Sequence, residues 1–125
     1  MSQLLQDQLL DQARQPRNFR VMPNPTFVRH ETNASCGDHL SLFVHSADGL
    51  LIDEATFTGQ GCVISLASAS LLTTYLKGRT IGEALARSEA DVVGSLGMPL
   101  NPLRQPCALL PFVAFKEGVR LWTKV

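Results

Sequence analysis

The chain has little that would draw it to a charged polymer or into a bilayer. Eleven Lys and Arg residues balance eleven Asp and Glu, no basic run occurs, and aromatic residues make up only 6% of the 125 positions. A nucleic-acid groove or an anionic membrane surface is therefore not expected as its partner. No stretch approaches the roughly 18 consecutive apolar residues of a membrane span. Met1 to Asp11 carries neither a basic n-region nor an apolar run of signal-peptide length, so a cytoplasmic protein is expected. Cysteine is scarce as well. Three cysteines are an odd number and cannot close into a complete disulfide framework. In a reducing compartment such thiols bind metal, react, or are simply buried. At 125 residues and 45% hydrophobic content, one core and a single domain over residues 1–125 are expected.

What is present reads as a mixed fold. Leu5, Leu9 and Ala13 recur at helical spacing after Ser2, a candidate N-cap, and Pro16 stops the helix. An irregular link through Pro23 and Pro25 follows, then a candidate strand from Thr26 to His30. The turn around Cys36 contains Gly37, suited to a positive φ. His39 to His45 alternates with Leu40, Leu42 and Val44 on one face, and Asp48-Gly49 signals a hairpin into a third strand from Leu50 to Thr58. Val63 to Tyr75 predicts a helix ending at Lys77-Gly78, and Ala67 to Ser70 make it thin enough for neighbouring layers to approach closely. Thr80-x-x-Glu83 and Ser88-x-x-Asp91 resemble capping boxes that open two short helices. A proline-punctuated loop from Met98 to Pro106 then leads into a last helix expected to begin at or just after Cys107, with Pro111 removing one backbone bond. The fold class is α+β: a small three-stranded antiparallel sheet, an N-terminal helix and several packed C-terminal helices.

The three cysteines share one property. Cys36 lies in a turn, Cys62 at a strand-to-helix junction after Gly59 and Gly61, and Cys107 at a loop-to-helix junction, spaced 26 and 45 residues apart. Thiols at element ends can point into a shared mouth, and the positive end of a helix dipole favours the nucleophilic, metal-binding thiolate. Asp38 could add a carboxylate oxygen, completing a tetrahedral shell for zinc, and thiolate softness equally suits an iron–sulfur cluster. The competing reading is three buried structural cysteines, since free cysteine often behaves as a small hydrophobe. Arg104, three residues before Cys107, could favour its thiolate or remain a solvated loop residue. His30 is a candidate ligand or base, and His39 and His45 read as exposed polar residues on the outer face of the hairpin. No cysteine–histidine pairing of the kind a thiol hydrolase needs is indicated.

Four ordered motifs carry a family resemblance: Pro16-Arg17-Asn18-Phe19; Asn33 to Asp38 with its Cys-Gly-Asp; Phe57-x-Gly59-x-Gly61-Cys62-x-Ile64-Ser65 followed by Ala67 to Ser70; and Arg104-x-x-Cys107-Ala108. Together they resemble the NifU/IscU/SufU family of iron–sulfur cluster assembly scaffold proteins over nearly the whole chain. The resemblance is closest to the SufU-like branch in Gly59 to Ser65 and in Arg104. The chain lacks the insertion that branch carries before the last cysteine, and Pro106 stands where the IscU branch has a histidine.

The resemblance implies that Cys36, Asp38, Cys62 and Cys107 converge to hold zinc or a transient iron–sulfur cluster. It implies that these thiols accept persulfide sulfur from a cysteine desulfurase and that sulfur or a nascent cluster passes to recipient iron–sulfur proteins. Cys62 or Cys107 could be the acceptor, with Cys62 favoured by the likeness to the SufU branch, and Arg104 is a candidate for partner docking. The implied role is a scaffold. The alternatives are a zinc-bound sulfur relay with sulfurtransferase activity that builds no cluster, or an interaction domain with buried cysteines.

Overall fold

The computed structural model describes residues 3–34, 37–97 and 99–123, without the side chain of Leu5. Its elements are α1 (Gln3–Arg14), β1 (Phe27–Asn33), β2 (Asp38–His45), β3 (Glu54–Gln60), α2 (Val63–Leu76), α3 (Ile81–Leu85), α4 (Glu89–Gly94) and α5 (Gln105–Thr123). The three strands form one antiparallel sheet in the order β1-β2-β3, an α+β architecture. Strand alternation turns Leu40, Leu42 and Val44 to the same face as Ala55 and Phe57, their neighbours in the β2–β3 register. That face is buried against Leu72 and Leu76 of α2 and Phe112, Phe115 and Val119 of α5.

Helix α2 is the centre of the stack. Its residues Ala67, Ser68, Ala69 and Ser70 are all buried, and small side chains let α1 and α5 come close on either side. The serines find partners across those contacts: Ser68 donates to the Ala108 carbonyl at 2.5 Å, and Ser70 donates to Gln12 Oε1 at 2.5 Å while accepting from the Arg17 amide at 2.8 Å. A second cluster, Leu9, Ala13, Ile64, Ala67, Leu96, Cys107 and Ala108, ties α1, α2 and α5 together at the end where the cysteines lie.

The irregular link is a strap. The Phe57 amide donates to the Asn18 carbonyl and the Arg20 amide to the Phe57 carbonyl, both at 3.0 Å, so residues 18–20 cover part of the free edge of β3. The chain then reaches the Val44 carbonyl through the Thr26 amide at 2.7 Å, and Met22, Phe43 and Thr56 are buried along this outer side of the sheet. Covering an edge removes a template for unwanted strand pairing.

Both short helices open with reciprocal capping boxes, Thr80 with Glu83 and Ser88 with Asp91. Thr80→Ala is expected to cost about 1 kcal/mol, read as a lower urea midpoint with unchanged slope, because the Glu83 amide then loses its side-chain acceptor.

Several boundaries differ from the sequence reading. The connection from β2 to β3 is a loop over residues 46–53, not a two-residue hairpin. Asp48 Oδ1 accepts the Leu50 amide at 2.8 Å and the Leu51 amide at 2.9 Å, Gly49 has φ 77°, and Ile52 turns into the core, so β3 begins at Glu54 and not at Leu50. The Leu51 and Leu50 amides also hold the Asp48 carboxyl below its ordinary value. Strand β1 starts at Phe27 and runs on to Asn33, three residues past the expected end, because pairing with β2 continues to Asp38. Helix α5 begins at Gln105, two residues before Cys107, since Pro106 fits a first turn that needs no amide there. Pro111 lies inside α5, where it cannot donate to the Cys107 carbonyl. The Ser2 cap and the start of the proline loop at Met98 lie outside the described residues.

Candidate metal and sulfur centre

The start of β2, the β3–α2 junction and the first turn of α5 meet at one end of the molecule. Asp38 opens β2, Cys62 is the N-cap of α2, and Cys107 is in the first turn of α5. One ligand atom from each, a carboxylate oxygen and two sulfurs, lies within 4.8 Å of the others. Among the described residues this is the one place where three metal-ligating side chains converge. Cys36, the third thiol of the sequence reading, lies outside the described residues, although Gly37 beside it has φ 76° and Gly37 donates to the Asn33 carbonyl at 2.8 Å.

Sheet register brings Asp38 to Cys62. His39 pairs with Gln60 and Leu40 with Gly59, so the start of β2 runs beside the end of β3, and the chain enters α2 directly over Asp38. Asp38 is 5% exposed. Its Oδ1 accepts the Cys62 amide at 3.1 Å and its Oδ2 accepts the Ser65 hydroxyl at 3.0 Å. A buried carboxylate is tolerable only with such donors, and the positive end of α2 favours it further. Gly61 makes the approach possible: a Cβ there would overlap Ser65 Oγ and lie 3.2 Å from Asp38 Cγ.

The two thiols differ. Cys107 is 2% exposed, and Asn33 at the end of β1 donates through Nδ2 to its sulfur at 3.7 Å. Cys62 is half-buried and opens on a cleft of about 420 Å³ walled by Val63, Ile64, Pro99 and Leu100, with Asn101 and Arg104 at its rim. Arg104 is exposed and borders the Cys62 side of the site, and its backbone carbonyl accepts the Cys107 amide at 3.1 Å. Pro106 adds no donor atom. His30 hydrogen-bonds Ser41 on the outer face of the sheet, His39 is exposed there, and His45 is 3.4 Å from Asp53, so none of the three histidines belongs to this cluster.

Ser65 and Asn33 escaped the sequence reading as site residues. In the sequence Ser65 stands only as the last residue of the Gly59-to-Ser65 motif, and Asn33 as a turn former. The signal for Ser65 was its position three residues after the N-cap, where a side chain reaches back over the helix end.

Two soft sulfurs and one carboxylate suit zinc or iron better than magnesium or calcium, which prefer all-oxygen shells. Among the described residues no helix is long and apolar enough to cross a membrane.

The sequence profile described as the NifU-like N terminal domain matches residues 4–124. The chain is 33% identical to the zinc-dependent sulfurtransferase SufU of Bacillus subtilis, with 89% of this chain and 86% of that protein aligned. It is 31% identical to the iron–sulfur cluster assembly scaffold protein IscU of Azotobacter vinelandii, over 91% of this chain and 90% of the relative. In fold it matches a crystal structure of a nitrogen-fixing NifU-like protein (N-terminal) from Brucella abortus with a TM-score of 0.76 at 16% identity, covering 94% of this chain and 92% of that one. With a profile match running from one end of the described chain to the other, the protein belongs to the NifU-like N-terminal domain family.

Proposed function

We propose that this protein is a sulfur acceptor and assembly scaffold for iron–sulfur clusters. It takes sulfur from the persulfide of a cysteine desulfurase and passes sulfur or a nascent cluster to recipient iron–sulfur proteins. The observation that carries this is the convergence of Asp38, Cys62 and Cys107 within 4.8 Å, with one thiol reachable from solvent and the other buried behind it. Its resemblance to SufU and IscU relatives points the same way.

In the transfer step the Cys62 thiolate attacks the outer sulfur of the donor persulfide. A new S–S bond forms on Cys62, the donor S–S bond breaks, and the donor cysteine leaves as a thiolate, with no net oxidation or reduction. The cleft at Cys62 admits the donor, and Arg104 on its rim is the docking contact. Cys107 and Asp38 lie behind Cys62 and hold the incoming iron and sulfide as cargo, with Cys36 as the third thiol. A resident zinc fits the same donors; when bound it keeps the thiols deprotonated and guards them from oxidation.

The test is to purify the protein with and without oxygen, determine bound metal, and incubate it with a cysteine desulfurase and ³⁵S-cysteine. Label on the chain under non-reducing conditions and about one tightly held zinc or a cluster are expected. A chain that takes neither sulfur nor metal overturns the proposal. A second reading, a zinc-bound relay that stimulates the desulfurase without building clusters, is favoured by Pro106, which supplies no ligand beside Cys107. It is separated from the first by adding iron to the reaction and following cluster absorbance.

A further inference from the structure

Helix α2 begins with a residue that does not cap it. Cys62 is the N-cap, and its side chain makes no capping hydrogen bond. The amide of Cys62 itself is held from 24 residues away, by Asp38 Oδ1. Ser65 completes the arrangement from inside the helix. It is 5% exposed, and its hydroxyl has two oxygen acceptors, Asp38 Oδ2 at 3.0 Å and the Cys62 carbonyl at 3.2 Å, with Cys62 Sγ at 3.7 Å in a contact where either atom can donate. The charged oxygen is the nearer and the stronger of the two acceptors.

Neither packing nor helix propensity asks for a serine at this place. Alanine would fill nearly the same volume and would favour the helix by up to about 0.5 kcal/mol. Glycine at position 61 is likewise unexplained by local backbone need, since Gly61 is absent from the positive-φ residues, yet a Cβ there would overlap Ser65 Oγ. Two separate positions therefore make room for one hydrogen bond between Ser65 and Asp38.

That bond has a consequence for what Asp38 can do. An ionised carboxylate has about four acceptor sites, and the two bonds at α2 use one on each oxygen. The last torsion of an aspartate is otherwise broad, so a donor on each oxygen fixes the plane in which the group would meet a cation. Cys62 Sγ and Cys107 Sγ stand within 4.8 Å of the carboxylate oxygen that would share it.

We propose that Ser65 is the positioning residue of the centre: its hydroxyl locks the Asp38 carboxylate in the orientation that accepts the Cys62 amide and presents Asp38 to the Cys62 and Cys107 sulfurs. The inference deepens the function proposed above and rests on Asp38 serving as a ligand there. Ser65 itself touches neither cargo nor donor. It acts through Asp38, as outer partners of metal ligands generally do, where their loss weakens binding by roughly 10–100-fold.

The test uses the full-length metal-free protein with cobalt(II) and zinc(II) as probes. Zinc affinity is measured by competition with a chelator, and cobalt(II) absorption reports the ligand set through its thiolate charge-transfer and d–d bands. Ser65→Ala is expected to weaken zinc binding by about 10-fold or more and to change the d–d bands, with the thiolate bands retained and the metal-free protein still melting cooperatively at a lower temperature. Ser65→Thr keeps the hydroxyl and is expected to restore the wild-type bands. Ser65→Ala with affinity and bands indistinguishable from wild type overturns the role of Ser65 and leaves the proposed function standing. A wild-type protein that binds neither ion overturns both. Should Ser65→Ala fail to fold, Gly61→Ala, which keeps the hydroxyl but displaces it, is judged by the same two readouts.

Discussion

Gly59→Ala is expected to lower the unfolding free energy by about 4 kcal/mol, a large part of the roughly 5–15 kcal/mol available to a domain of this kind. Two costs combine. Gly59 has φ 150°, a conformation that residues with a Cβ rarely adopt. The added Cβ would also overlap the His39 carbonyl oxygen and come to 2.7 Å from Leu40 Cα. Both neighbours are backbone of the adjacent strand, so no side chain can swing aside. Relief requires β3 to part from β2 at the Leu40–Gly59 pair, the pair that sets Cys62 over Asp38. Stability and metal binding should therefore fall together. Urea denaturation with an unchanged slope measures the first, and cobalt(II) titration the second. A loss under about 1 kcal/mol would show that β3 shifts at little cost and that the close approach is not needed.

The second large effect separates the two described cysteines. Cys62→Ser is expected to reduce ³⁵S acceptance from a desulfurase to background, because a serine hydroxyl is not ionised near neutral pH and makes no persulfide. Cys107→Ser is expected to retain acceptance while losing metal affinity by at least the roughly 10–100-fold that even an outer partner is worth. The difference follows from access. Attack on a persulfide needs the thiolate to meet the S–S axis end-on. Cys62 opens on the cleft beside Arg104, whereas Cys107 is 2% exposed with Ala108 and Leu110 buried next to it in α5. Non-reducing gels of the labelled variants, run beside metal analysis, measure both properties. The reverse pattern, with acceptance lost in Cys107→Ser and kept in Cys62→Ser, would move the acceptor role to the buried thiol.

Much of this architecture could be read before any coordinates, for reasons that are local. Thr80 and Ser88 announce helix starts because a capping box uses residues three apart, and Gly78 announces an end because few residues take φ 87°. Leu40, Leu42 and Val44 announce a buried strand face by alternation alone. What escaped were features decided across the chain. Asp48-Gly49 looks like a tight hairpin, but Ile52 is pulled into the core and the Ile52 amide bonds the Arg79 carbonyl at 2.9 Å, so the connection lengthens. Within the centre, the cysteines and Asp38 stand out by residue type. The contact between Ser65 and Asp38 spans 27 positions and is created only when β2 and β3 pair, and the approach of Asn33 to Cys107 spans 74. No spacing rule reaches that far.

The single tryptophan gives the molecule an optical address. Trp122 lies near the C-terminal end of α5, with its ring 6.0 Å from that of Phe27 and against Gly49 of the long loop. Fifteen residues of helix separate it from Cys107, about 22 Å at 1.5 Å per residue. Its emission therefore watches the pole opposite the sulfurs. It will follow unfolding of the sheet and α5 faithfully and stay nearly blind to filling of the centre, whose occupancy is reported by thiolate absorption. Recorded together in one denaturation series, the two signals reveal whether the cysteine pole opens before the rest of the protein or melts with it.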